Sequence, residues 1–285
     1  MERRILGEIE KNKWDSWGQV AKAVGGISQS SVQRTAHRNG IHRCIAIRKP
    51  FISQVNIEKR LVWAAENYGR NWDNVIFTDE TKLELGEHSG PCYVSRRRNE
   101  HLDPNHIAPN FTSGRRSIML WAAISYHGKS PLLELSWPDV VVGKDGKPKR
   151  GGFTNKQYAE QVLSVGLQDF YTEQVIYAGW DFEVVEDGAL VHKGPFVREA
   201  RVSFPFENLA HPPSSPDLNP IENIWHMLKR RIWSIQGAHN SLKNLKSAAR
   251  EAWDSISQEE IRNVIDSMDR RVEAVVKAKG QATDY

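Results

Sequence analysis

The run at 118–125, IMLWAAIS, holds no charged residue and a single polar one at its end. A strand that is wet on one face alternates apolar and polar side chains, so a run this apolar predicts a strand covered on both faces. That requires a layered fold with helices above and below a sheet. The surrounding sequence supplies the parts. Further strands are expected at 75–79 (VIFTD), 132–137, 182–187 (FEVVED) and 202–206, with a loop or hairpin at 139–152. Helices are expected at 57–68, 155–171, 195–200, 220–234, 241–254 and 258–277. The expected class is therefore α/β, a mixed sheet flanked by helices, over 69–285.

Ahead of this body lies a basic head. Residues 1–60 carry twelve Lys and Arg against five acids, while the whole 285-residue chain is only +4, so the remainder is −3. A positive head on a mildly acidic body predicts a polyanionic partner for the head. Three short helices are expected there, at 2–12, 15–24 and 29–39. Gly25-Gly26 falls between the last two, and Ser28 or Ser30 stands ready to cap the third. This is the pattern of a helix-turn-helix over 1–40, whose last helix enters the major groove of DNA. Val32 and Ala36 would face inward. Ser30, Gln33, Arg34 and Arg38 would face phosphates and base edges. A basic linker at 41–56, with Arg43, Arg48 and Lys49, suits crossing a DNA backbone, and with the helix behind it forms a connecting segment at 41–68.

Composition narrows the class further. Hydrophobic residues are 39% and charged residues 26%, as in folded globular proteins. No run of about 18 apolar residues occurs, so no membrane span is expected. The opening MERRILGEIEKN lacks the apolar stretch of a secretory signal. Two cysteines, Cys44 and Cys92, cannot make a disulfide framework, and a reducing compartment is the simple reading.

Three carboxylates carry the chemistry. Asp79 and Asp187 are expected at the ends of two strands, and Glu222 in the first turn of the helix after a proline-rich loop. Carboxylates gathered at one edge of a sheet raise one another's pKa, and Mg²⁺ ions relieve that repulsion with hard oxygen ligands. Two such ions about 4 Å apart activate a nucleophile and stabilise a leaving oxygen at a phosphodiester. Plainer roles also fit. Strand-end aspartates are common at turns. Glu80 and Glu186 stand next to the two aspartates, and Asn219-Pro220-Ile221-Glu222 fits a capping box. On spacing alone the capping role is the simpler one for Glu222.

The stretches VIFTDETKLELG, VVEDGALVHKG and HPPSSPDLNPIENIWHMLKRRI resemble the three catalytic blocks of the Tc/mariner transposases. The third is the most specific, and the thirty-four residues between Asp187 and Glu222 agree with the Tc branch. The similarity runs from about residue 15 to 235. It implies an RNase H-like catalytic fold and a D-D-E triad of Asp79, Asp187 and Glu222, binding two Mg²⁺ with Mn²⁺ as a substitute. It also implies cut-and-paste transposition: binding of terminal inverted repeats, hydrolysis at the element ends, and joining of the 3′-hydroxyl to target DNA at TA. Partners would be DNA and a second copy of the chain, with no small-molecule substrate, acting in the nucleus of a eukaryotic host or otherwise with DNA in the cytoplasm. Residues 2–40 would match the second helix-turn-helix of the family's paired DNA-binding region, with room for only one before Asp79. Residues 87–112 would be an inserted loop that meets DNA or a partner through Arg96, Arg97 and Arg98. Gly188 stands where an Asn is common, and His192 where a histidine is frequent. Two rivals remain at this level: a copy of the fold that binds DNA without cutting it, and a nuclease for RNA–DNA hybrids.

Overall fold

The computed structural model describes residues 1–11, 13, 15–43, 52–85, 117–138, 140–142 and 147–285. They fall into two compact units, 1–49 and 50–285.

The first unit is three helices: α1 (Glu2–Lys11), α2 (Trp17–Val24) and α3 (Gln29–Arg38). Their apolar stripes meet in one small core of Ile5, Ile9, Trp17, Val20, Ala21, Val24, Val32 and Ala36. Ser16 caps α2 with a full capping box through Gln19, and Ser28 caps α3 by accepting the Ser31 N–H. The turn between α2 and α3 needs Gly25 and Gly26, whose φ angles of 73° and 70° lie where a Cβ is disfavoured. From α1, Arg4 reaches across to the Val24 carbonyl at the end of α2 (2.9 Å).

The second unit opens with α4 (Gln54–Glu66), capped by Ser53. The connecting segment expected at 41–68 includes this helix, whereas its Ile57, Trp63 and Ala64 are buried and Arg60 is locked into the body. A five-stranded sheet follows, ordered β3-β2-β1-β6-β7. The strands β1 (Val75–Glu84), β2 (Ser117–Ile124) and β3 (Leu133–Leu135) form an antiparallel meander, while β6 (Glu183–Val185) and β7 (Glu207–Asn208) run parallel to β1. A separate hairpin pairs β4 (Val140–Val142) with β5 (Pro148–Arg150).

As its composition requires, β2 is covered on both faces. Ile118, Leu120, Ala122 and Ile124 join the core under α8 (Ile221–Ser234), α9 (Leu242–Asp254), α10 (Gln258–Ile265) and α11 (Met268–Lys277). Trp121 and Ala123 join the opposite core, under the helical stretch 155–178 and α7 (Pro195–Ser203). That stretch begins as α5 (Asn155–Gln157), winds as a π-helix from Tyr158 to Leu167, and ends as α6 (Gln168–Ala178). On it, Gly166 sits where a Cβ would come within 2.8 Å of the Trp121 ring, so a side chain here would push the helix off the sheet.

Three expectations change. β1 runs five residues further than expected, because its second half pairs with β2 after the parallel pairing with β6 has ended at Phe77–Val185. Asp79 is therefore inside a strand, just beyond the point where one neighbour peels away. Asp187 lies two residues past the end of β6. The strand expected at 202–206 is absent. Val202 is 83% exposed on the last turn of α7, and only Glu207-Asn208 pairs with β6. The alternation V-S-F-P-F imitates a strand, but Phe204 and Phe206 are apolar because they pack against Tyr171. The helix expected at 258–277 divides around Asp266 and Ser267.

Candidate active site

Strand parity decides which carboxylates face the helix α8. Val75 and Phe77 belong to the core beneath α8, and Asp79 continues their side of β1. There its Oδ2 accepts the Trp225 Nε1–H at 3.0 Å. Ile76 belongs to the opposite core, and Glu80, of the same parity, bonds His192. The same alternation separates Glu186 from Asp187. Glu186 is buried among Tyr158, Arg201 and Asn208, all of which donate to it. Asp187 instead lines a cleft of about 350 Å³ together with Asp79, Glu222, Gly188, His211 and Asn219.

Thr78 stitches the three carriers together. Its hydroxyl donates to the Val185 carbonyl (2.8 Å), two residues before Asp187. Its own carbonyl accepts Asn219 Nδ2–H (3.1 Å), three residues before Glu222. Asn219 is thus drawn to β1. Its Oδ1 accepts only a long bond from the Ile221 N–H (3.4 Å), and Glu222 makes no side-chain bond back to the cap. The capping box does not form, which leaves the Glu222 carboxylate to the cleft. Replacing Thr78 by Val keeps the shape and removes one buried hydrogen bond, leaving the Val185 carbonyl without that donor. The expected cost is about 1–2 kcal/mol of stability, read from thermal or denaturant melts of the full chain.

The electrostatics of the cleft are those of crowded negative charge. Burial, and next the charges of Glu222 and Glu80, push Asp79 well above the usual carboxylate range, against the Glu80 backbone and Trp225 hydrogen bonds. Burial also raises Glu222; His226 and Lys229 oppose this and Asp187 adds to it. Asp187 goes the other way, lowered chiefly by its hydrogen bond from His192, against burial and with help from the Ala189 N–H. Burial disfavours the His192 cation, but bonds to Asp187 Oδ1 (2.8 Å) and Glu80 Oε1 (3.3 Å) bring its pKa up to about 10. Both ring nitrogens of His192 face carboxylates, an arrangement that favours the protonated ring, which lies 4.2 Å from that of Tyr158.

An all-oxygen, multiply charged donor set fits a hard divalent cation, which would offset the cost of ionising Asp79 and Glu222. Among the described residues no three His, Cys, Asp or Glu side chains are closed around one point. The carboxylates are gathered in one cleft, and Asp187 is held by His192 and the Ala189 N–H.

On the first unit, α3 turns Val32, Thr35 and Ala36 inward and leaves Ser30, Gln33, Arg34 and Arg38 exposed along one polar face. Arg43 is exposed but engaged, stacking over Trp17 and donating to the Asp15 carbonyl. Arg48, Lys49, Arg96, Arg97 and Arg98 lie outside the described residues. Thr78, Asn219 and Trp225 were missed from sequence. Only Trp225 had a signal, since it falls one helical turn after Glu222.

Comparison with known proteins agrees with this geometry. A family model described as DDE superfamily endonuclease matches residues 152–246, and one described as transposase matches residues 2–69. The Tc1 transposase of Caenorhabditis elegans is 28% identical over 261 residues, covering 90% of this chain and 88% of that protein. The Tcb1 transposase of Caenorhabditis briggsae is 28% identical over 264 residues, with the same coverage. The Mos1 transposase paired-end complex with left transposon end superposes with a TM-score of 0.72 at 16% identity, covering 100% of this chain and 80% of that one, a likeness of fold. The fold is that of a helix-turn-helix region followed by an RNase H-like D-D-E endonuclease domain. More narrowly, the chain is similar over about nine-tenths of its length to the Tc1 and Tcb1 transposases.

Proposed function

We propose that this chain is a cut-and-paste DNA transposase in which Asp79, Asp187 and Glu222 hold two divalent metal ions and the exposed face of α3 reads the terminal inverted repeats. The observation that carries this reading is the meeting of three carboxylates, from β1, the end of β6 and the start of α8, in one cleft stitched by Thr78. The transposase names of its relatives support it, as do Mos1 paired-end complexes with Mg and with Mn among the similar structures.

Bound Mg²⁺ or Mn²⁺ would supply charge neutralisation and nucleophile activation at the scissile phosphodiester. The chain supplies the placement. Trp225 fixes the Asp79 carboxylate by its indole N–H. His192 fixes Asp187 and, through Glu80, refers it back to β1. Glu222 is brought in by the loop that Asn219 ties to Thr78. No side chain is required as a covalent nucleophile, because water and then the 3′-hydroxyl of the cut strand attack phosphorus in turn. Two element ends to be joined call for a homodimer, and the product site is a TA dinucleotide. The setting is the nucleus of a eukaryotic host, or the DNA-containing cytoplasm otherwise.

The test is cleavage of a DNA fragment that carries the element's own terminal repeat. With Mg²⁺ or Mn²⁺ the protein is expected to cut at the element end, and EDTA to abolish cutting. Tight binding of the repeat with no cutting in either metal would overturn the enzymatic reading in favour of a DNA-binding protein.

A further inference from the structure

The loop leading into Glu222 is gripped from behind by two buried arginines from opposite ends of the second unit. Arg60 on α4 is 0% exposed, and all five of its N–H groups are engaged. It donates to Asp217 Oδ1 (2.8 Å) and Oδ2 (2.6 Å), Ser215 Oγ (2.7 Å), Gly280 O (2.9 Å) and Gln281 O (3.2 Å). Arg271 on α11 is 1% exposed. It donates to the Asp217 carbonyl (2.7 Å), to Asn223 Oδ1 (2.9 Å) and to Ser267 Oγ (2.7 Å). Thr283 adds its hydroxyl to Asp217 Oδ2 (2.8 Å).

The backbone and the side chain of Asp217 are therefore both fixed, and so is Asn223, the residue after Glu222. Three residues before Glu222, Asn219 is fixed to β1. Glu222 sits between two pinned points at the start of a helix that has no side-chain cap. Two guanidinium groups and a carboxylate are costly to bury, and apolar packing would serve stability alone at least as well. What the charged cluster adds is direction: bidentate and forked bonds fix orientation as well as distance.

We propose that Asp217, clamped by Arg60, Arg271 and Thr283, is a positioning residue that aims Glu222 at the metal site, and that residues 280–285 are part of the active-site scaffold. This rests on the reading of Glu222 as a metal ligand.

The test is Mn²⁺ binding to the full-length chain, followed by the EPR signal of free Mn²⁺, for wild type, Glu222→Gln, Asp217→Asn and Thr283→Val. Asp217→Asn is expected to weaken Mn²⁺ about tenfold, as losses behind a metal ligand commonly do. Thr283→Val, which removes one hydrogen bond, is expected to weaken it about fivefold. For both, cleavage lost at low Mn²⁺ returns as Mn²⁺ is raised, whereas a purely structural role lowers the melting temperature and leaves the affinity alone. If Asp217→Asn does not fold, Thr283→Val decides. Wild-type affinity in both folded variants, with weakened binding in Glu222→Gln, overturns the positioning role and leaves the reading of Glu222 intact. Wild-type affinity in Glu222→Gln overturns that reading and the proposal with it.

Discussion

Replacing Glu222 by Gln is expected to abolish metal-dependent cleavage of element ends while leaving the fold and the binding of terminal repeats in place. Asp187→Ala is expected to abolish cleavage as well, with some loss of stability because its carboxylate is the partner of buried His192. The loss of cleavage should be about a thousandfold or more, equivalent to roughly 4 kcal/mol of transition-state stabilisation, because a misplaced metal forfeits most of its charge neutralisation. Repeat binding survives because the exposed residues of α3 belong to a separate compact unit. The fold survives for a local reason. Glu222 makes no side-chain bond to its helix start, and burial raises its pKa, so its charge is a burden on the metal-free protein. The metal-free melting temperature of Glu222→Gln should therefore be unchanged or higher than wild type. End cleavage at wild-type rate by either variant would remove the triad from the mechanism. A large fall in melting temperature for Glu222→Gln would restore the plain helix-start role that the spacing of Asn219 and Glu222 first offered.

That plain role shows where the sequence stops being legible. Asn-Pro-Ile-Glu is a sound capping pattern, and nothing within it reveals that Asn219 is drawn away by the carbonyl of Thr78, 141 residues earlier. Long-range backbone acceptors leave no local trace. The apolar run at 118–125 was fully informative, because burial on both faces leaves no polar position and the composition itself is the signal. The three helices of the first unit were legible for a related reason: their core is made of residues close in sequence, at helical spacing, with serine caps and a glycine turn. The segment 202–206 misled because Phe204 and Phe206 are apolar for the sake of Tyr171, so an alternating pattern arose without any strand partner. The choice between Asp79 and Glu80, and between Asp187 and Glu186, was in principle open to strand parity. It needed knowledge of which face α8 covers, which only the assembled sheet provides. Arg60 gave no hint at all. On the helix of the expected connecting segment it reads as one more basic residue, and its burial becomes visible only with Asp217 opposite it.

Truncating Arg60 to Ala is expected to be strongly destabilising to the second unit, at about 3–5 kcal/mol, the usual cost of removing one partner from a buried ion pair. The side chain is fully buried with five bonds, so its loss opens a cavity and leaves Asp217 facing Thr283 without its guanidinium. Against a total of roughly 5–15 kcal/mol this is a large fraction. For a unit of this size it corresponds to a fall of roughly 6–20 °C in melting temperature. Calorimetry of the full chain should show the shift in the transition of residues 50–285 and not in that of residues 1–49, whose core contains none of the partners. A fall of less than about 2 °C would mean that water or a neighbouring cation replaces the guanidinium, and that the cluster contributes little to stability. The double variant Arg60→Met with Asp217→Leu separates the two roles of the cluster. Apolar residues of similar volume commonly recover much of the stability of a buried pair. They cannot restore the forked bonds to Ser215, Gly280 and Gln281 that hold the loop in front of Glu222. A double variant that melts near wild type yet binds Mn²⁺ weakly would place the function of this buried charge in aiming a carboxylate. One that regains both would mean that shape alone sets the loop.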